Sequence, residues 1–226
     1  MSNNKVVRTP AAQQIPGIMA ELQTAAETLK GIGWGVSVFG SARIQPDSPY
    51  YALAEALGSR LAKAGLTVIA GGGPGIMEAA NKGAFEAGGN SIGLNINLPH
   101  ETKNNRYQTH SLVFDYFYSR KATFFMHSAA YIALPGGYGT LDELFEVMTL
   151  VQTRKVPPAP IILIGTEFWA GLIDWIKTGP RANHLISPQD ISLLTLTNDL
   201  DLVMQNIETF CAEFIDERHT APALPE

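Results

Sequence analysis

Pro135-Gly136-Gly137-Tyr138-Gly139-Thr140-Leu141-Asp142-Glu143 places three glycines within four positions and a carboxylate about one helical turn further on. The chemistry such a stretch offers is capture of an anion. Backbone without side chains lets an anion approach its amides, and the first N–H groups of a helix add donors and a partial positive charge. A phosphate fits that description, and Glu143 is then placed for chemistry on the group the phosphate carries. Two plainer readings compete. Glycine clusters also form ordinary tight turns, and Thr140 with Glu143 has the spacing of a capping box, in which each side chain satisfies an amide at the helix start. Against the capping box, Glu143 points about 140° from the centre of the following apolar stripe, counting about 100° per residue.

The flanking residues supply the elements that must hold this loop. Tyr131-Ile132-Ala133-Leu134 is an apolar run of strand type, and Leu141, Leu144, Phe145, Met148 and Val151 recur at helical spacing. The loop therefore sits at a strand's carboxyl end. The same grammar appears twice earlier: a strand over 36–39 ends in Gly40-Ser41-Ala42-Arg43, and a strand over 66–70 ends in Gly71-Gly72-Gly73-Pro74-Gly75. Helices are predicted over 50–64 and 76–87, then strands over 91–97 and 111–116 around a polar connector at 98–109. A helix over 119–128, a strand over 160–164, a helix over 167–177, a strand over 193–196 and a closing helix over 200–214 complete the series. Strands alternating with helices predict an α/β fold, a modified Rossmann-like parallel sheet with helices on both faces. In such sheets ligands bind off the carboxyl ends of strands near the switch in strand order, where all three glycine loops lie.

Residues 1–35 read as a polar N-terminal tail, loose through 14, and a packing helix in which Ile18, Leu22, Ala25, Ala26 and Leu29 face inward. Residues 36–216 read as a single Rossmann-like domain, and 217–226 as a flexible tail. With 226 residues, 46% hydrophobic and 16% charged, the chain supports one sizeable core. A net charge of -5 gives no general attraction to nucleic acid or to an anionic membrane. The absence of a long apolar run and of a signal-peptide core, with Cys211 as the one cysteine, points to the cytoplasm.

The usual nucleotide motifs do not fit. A dinucleotide fingerprint would need a glycine at Ile76 or at Asp142, and no P-loop is present, which leaves a mononucleotide or a sugar phosphate. Without a G-x-S-x-G elbow, Ser41 is a phosphate donor rather than a nucleophile. The five histidines show no metal-ligand spacing, and no metal or other cofactor is expected.

Gly71-Gly72-Gly73-Pro74-Gly75-Ile76-Met77-Glu78, then Ser119-Arg120-Lys121, then the P-G-G-x-G-T-x-x-E run ending at Glu143 resemble the LONELY GUY family of nucleoside 5′-monophosphate phosphoribohydrolases. The resemblance covers about 36–151 by motif and runs to about 214 by order of elements. It implies hydrolysis of the N-glycosidic bond of AMP or a cytokinin riboside monophosphate, giving free base and ribose 5-phosphate. It also implies a homodimer or larger assembly whose subunits share the active-site region. By position, Arg120 and Glu143 are the implied catalytic pair, Gly136, Gly137, Gly139 and Thr140 the phosphate holders, and Gly40, Ser41, Gly72 and Gly73 further lining. Phe117-Tyr118 precedes the Arg-Lys pair where plant-type members usually have M-H-x, closer to the longer bacterial branch. Phe117 or Tyr118 stacks on a purine or belongs to the core, and Glu78 contacts ribose hydroxyls or merely suits a helix start. Some relatives carry a lysine decarboxylase label, but nothing in this sequence supports a pyridoxal cofactor.

Through that pair the expected mechanism stabilises a ribosyl oxocarbenium ion or activates water at Glu143, with Arg120 orienting the acid, the phosphate or the departing base. A nucleotide carrier or sensor without turnover is the alternative, and a phosphoribosyl transferase another.

Overall fold

The computed structural model describes residues 10–98 and 104–220. Seven parallel strands, β1 (Gly35–Phe39), β2 (Thr67–Ala70), β3 (Ser91–Ile96), β4 (His110–Phe114), β5 (Ser128–Ala133), β6 (Ile161–Leu163) and β7 (Leu194–Leu196), form one sheet in the order β4-β3-β2-β1-β5-β6-β7. The chain runs outward from β1 to β4, returns to the other side of β1 as β5, and runs outward again. The strand order therefore switches between β1 and β5, and their carboxyl ends open side by side. Central strands β1 and β2 are buried along their whole length, as expected for a parallel sheet covered on both faces.

The helices are α1 (Ala11–Thr28), α2 (Pro49–Lys63), α3 (Ile76–Glu86), α4 (Phe117–His127), α5 (Tyr138–Gln152), α6 (Thr166–Ile176), α7 (Pro188–Ile191) and α8 (Leu200–Thr220). Alternate residues of each strand divide the core. Val36, Val38, Val68, Ile132 and Ile162 meet α2, α3 and α8 through Leu57, Leu61, Ile76, Val203 and Ile207. Phe39, Ile69, Leu94, Tyr131 and Ile161 meet α1, α4, α5 and α6 through Ala25, Phe124, Val147 and Trp169. Cys211 is packed into the first of these cores. No described helix is long and apolar enough to cross a membrane.

The expected strands and major helices are all present, with most ends shifted by one to three residues. Three differences are larger. The first helix begins at Ala11 rather than beyond residue 14, carrying Pro16 in its second turn. The last helix continues past Phe214 to Thr220, so the first residues of the expected 217–226 tail are helical, and 221–226 lie outside the described residues. Polar positions gave no inward stripe there, yet a helix under way adds one hydrogen bond for each residue it fixes. A π-helical turn, Lys177–Arg181, and the short α7 were not expected, and 99–103 of the polar connector lie outside the described residues.

Candidate active site

The three glycine loops are laced together at the switch point. Ser41 donates its backbone N–H to the Pro135 carbonyl at 3.1 Å, and Ile76 donates its own to the Ser41 carbonyl at 3.0 Å. Gly75 makes that second contact possible. Its φ is +68°, and a Cβ there would stand 2.3 Å from the Ser41 oxygen. The loops enclose a cleft of about 880 Å³ lined by Gly40, Ser41, Arg43, Gly73, Met77, Asn95, Asn97, Phe117, Arg120, Gly137, Gly139, Thr140 and Glu143, among others.

The start of α5 decides between the cradle and the capping box. The helix begins at Tyr138, its N-cap is Gly137, and no side chain of the N-cap satisfies its amides. Thr140 is thus already the third helical residue, and the Thr140–Glu143 capping box is not formed. Gly137 and Gly139 face open space, with no heavy atom within 4 Å of an added Cβ. An uncapped helix start without side chains at two of its first positions leaves its dipole and its amides open to an anion.

Glu143 lies one turn further on the same helix, its side chain 15% exposed in the cleft. Burial pushes its carboxyl up from an ordinary value of 4.5 to about 7, opposed by the Arg120 cation and reinforced by the neighbouring Asp142 charge. Arg120 comes from α4 and is only 8% exposed. Its Nε donates to the Leu94 carbonyl at 2.7 Å and one terminal nitrogen to the Gly71 carbonyl at 3.3 Å, while the other stands 4.0 Å from Glu143. Residue 71 has to be glycine for this, because a Cβ there would lie 2.5 Å from the guanidinium. The Phe124 ring, 5.5 Å from the guanidinium carbon, covers the cation from behind. Lys121, the next residue, turns away from the cleft to pair with Asp142 and Glu146, tying α4 to α5.

Not every predicted residue reaches the cleft. Gly72 and Gly136 are packing glycines: a Cβ at Gly72 would sit 2.0 Å from the Asn95 oxygen, and one at Gly136 2.1 Å from the Thr140 hydroxyl. Glu78 leans the other way, accepting a hydrogen bond from the Tyr51 hydroxyl at 3.1 Å; burial pushes the pKa of that phenol up, and the carboxylate beside it raises it further. Of the two aromatics, Phe117 lines the cleft at 50% exposed, whereas Tyr118 is 72% exposed outside it. Spacing did not reveal the residues that hold the second loop. Asn105 donates to the Gly72 carbonyl through its backbone (2.8 Å) and to the Gly73 carbonyl through its side chain (3.1 Å), and Gln108 adds a bond to Gly72 at 3.0 Å. Both lie in the polar connector, whose composition was its only signal.

Fold and cleft together define an open α/β protein that sets a bare helix start beside a buried carboxylate and a fixed guanidinium. The family described as "Possible lysine decarboxylase" matches residues 77–207. Cytokinin riboside 5′-monophosphate phosphoribohydrolase LOG4 of Arabidopsis thaliana is 35% identical over 66% of this chain and 71% of its own. The cytokinin riboside 5′-monophosphate phosphoribohydrolase of Rhodococcoides fascians is 28% identical over 74% of this chain and 85% of its own. Among solved structures, TM1055 superposes with a TM-score of 0.60 at 25% identity, covering 78% of this chain and 99% of its own. The molybdenum cofactor carrier protein of Chlamydomonas reinhardtii superposes at 0.59 and 22% identity over 79% of this chain and 98% of its own, a likeness of fold alone. The chain belongs to the LONELY GUY family, the one that carries the lysine decarboxylase description.

Proposed function

We infer that the protein hydrolyses the N-glycosidic bond of a nucleoside 5′-monophosphate, releasing the free base and ribose 5-phosphate. One observation carries the reading: the uncapped start of α5 and Glu143 lie on one helix, about five residues and so about 7.5 Å apart along its axis. A pentose and its 5′-methylene bridge that interval. A phosphate held by the amides around Gly137, Gly139 and Thr140, with Gly40, Ser41 and Gly73 across the cleft, sets the anomeric carbon beside Glu143. Membership of a family whose curated relatives are named phosphoribohydrolases supports the same reading.

In the reaction the bond from anomeric carbon to base nitrogen breaks, a water oxygen bonds to that carbon, and the water's proton passes by way of Glu143 toward the departing base. A carboxyl poised at about 7 takes up and gives back a proton near neutral pH. Its ionised form also faces the positive charge that develops on the ribosyl ring. Arg120, held by two backbone carbonyls, steadies that carboxylate. Phe117 offers the purine a face at the cleft edge.

A homo-oligomer belongs to this reading, supported by the exposed Tyr118, Met126, Tyr138 and Phe145 on α4 and α5. So does a cytoplasmic setting, in keeping with a single buried thiol. The test is a chromatographic screen for free base with nucleoside monophosphates and their parent nucleosides. Release from monophosphates and little from nucleosides is expected. Nucleotide binding without base release would make the protein a carrier, and equal rates on nucleosides would remove the phosphate from the mechanism.

A further inference from the structure

We propose that Glu21 of the N-terminal helix is a positioning residue for Arg120, bracing the start of the helix that carries it. The inference rests on the activity proposed above. Helix α1 lies outside the residues matched by the family description, and packs along α4 and the edge strand β4. At the start of α4 the N-cap is Tyr116, which provides no side-chain acceptor for the amides behind it. Glu21 reaches the residue ahead of that N-cap and a side chain of the first turn instead. One carboxylate oxygen accepts from the Asp115 N–H at 2.7 Å, and the other accepts from the hydroxyl of Ser119, which is fully buried.

The same hydroxyl lies 3.0 Å from the Tyr116 carbonyl and shares its one proton between that oxygen and Glu21, while the Ser119 carbonyl accepts from the Thr123 hydroxyl at 2.8 Å, so the first turn is clasped from both ends. Arg120 is the next residue, its N–H on the Tyr116 carbonyl at 3.2 Å. A carboxylate beside this helix start is favoured by the dipole as well as by the bonds it accepts. The contact extends into the cleft on a second path, because Asp115 accepts from the side chain of Asn97 at 2.6 Å, and Asn97 lines the cleft. Gly17, one turn before Glu21, permits the close approach: a Cβ there would meet the Tyr116 ring at 2.7 Å. Removing the carboxylate frees the first turn of α4, and Arg120 loses the fixed stance from which it faces Glu143. The phosphate cradle, built on α5 and the other loops, stays as it is.

Full-length Glu21→Ala, Glu21→Gln and Glu27→Ala are compared by kcat and KM on a nucleoside monophosphate, by thermal melting, and by an NMR titration of the Glu143 side-chain carboxyl. Loss of two charge-assisted bonds predicts that Glu21→Ala lowers kcat by about tenfold or more and leaves KM within about threefold. Glu21→Gln, with one acceptor and one donor for the same partners, recovers most of that loss. Glu27→Ala, on the exposed face of the same helix, matches the parent protein. Glu143 is faced by Arg120, Lys121, Asp142 and Glu146, and only the first is displaced, so in Glu21→Ala its titration moves to higher pH. A kcat per folded molecule and a Glu143 titration equal to the parent's overturn the proposal. Should Glu21→Ala fail to fold, Glu21→Asp, which withdraws the carboxylate by one methylene, is read against the same criteria. If the parent protein itself releases no base, the functional reading fails, and the Glu143 titration alone decides the role of Glu21.

Discussion

Replacing Glu143 by glutamine should slow the enzyme and stabilise the fold, and the stabilisation should depend on pH in a fixed way. The carboxyl ionises at about 7 in the folded protein and at an ordinary 4.5 when exposed. Below 4.5 both states hold the proton and the group costs nothing. Between 4.5 and about 7 the unfolded chain loses its proton while the folded chain keeps it, so the folded state loses ground as pH rises; above about 7 the penalty is constant. At about 1.4 kcal/mol for each tenfold in the ionisation equilibrium, the penalty reaches about 3 kcal/mol. Glutamine fills the same space and does not ionise. Urea unfolding of both proteins from pH 4 to pH 8 should give curves that nearly coincide at the acid end and separate by up to about 3 kcal/mol at the alkaline end, the variant being the more stable. Turnover should fall by about two orders of magnitude or more, the scale of one lost electrostatic stabiliser. In the parent protein, kcat should rise with pH through about 7 to a plateau. Parallel stability curves would show that the carboxyl is not held in a costly setting, and base release by the variant at the parent's rate would take Glu143 out of the chemistry.

Arg120→Lys keeps the charge but offers a single nitrogen to two carbonyls, that of Leu94 on β3 and that of Gly71 in the loop after β2. A drop in kcat of about tenfold or more is expected, with KM changed far less, and turnover at the parent's rate would show that charge alone suffices. Two adjacent glycines should separate by phenotype. Gly137→Ala adds a methyl to open space in the cleft, so it should raise KM several-fold with an unchanged melting temperature. Gly136→Ala drives a methyl to 2.1 Å from the Thr140 hydroxyl and should cost about 1–3 kcal/mol in urea unfolding. Equal effects at both positions would contradict the cradle.

The amino-acid order was enough to announce a parallel sheet, because the strands read as apolar runs and the helices between them as stripes. Three glycine loops at strand ends marked the edge at which sheets of this kind bind their ligands. The angular position of Glu143 relative to Leu141, Leu144, Met148 and Val151 kept it out of the core, as periodicity on one helix requires. What periodicity does not contain is the distance between elements. That β5 lies beside β1, bringing the Pro135–Thr140 loop against Ser41, follows from a strand order set by the packing of helices on both faces. The choice between capping box and anion cradle depended on the backbone starting α5 at Tyr138, two residues before Thr140. Gly72, Gly136 and Glu78 match the family's motif as well as Gly73 and Gly137 do, yet their neighbours Asn95, Thr140 and Tyr51 draw them into packing. The raised pKa of Glu143 exists only because the fold removes water from a carboxylate and gives it one cation 4.0 Å away, too far to compensate fully. Local sequence sets which way a side chain points along its own element; contacts between residues far apart in the chain set what it meets there.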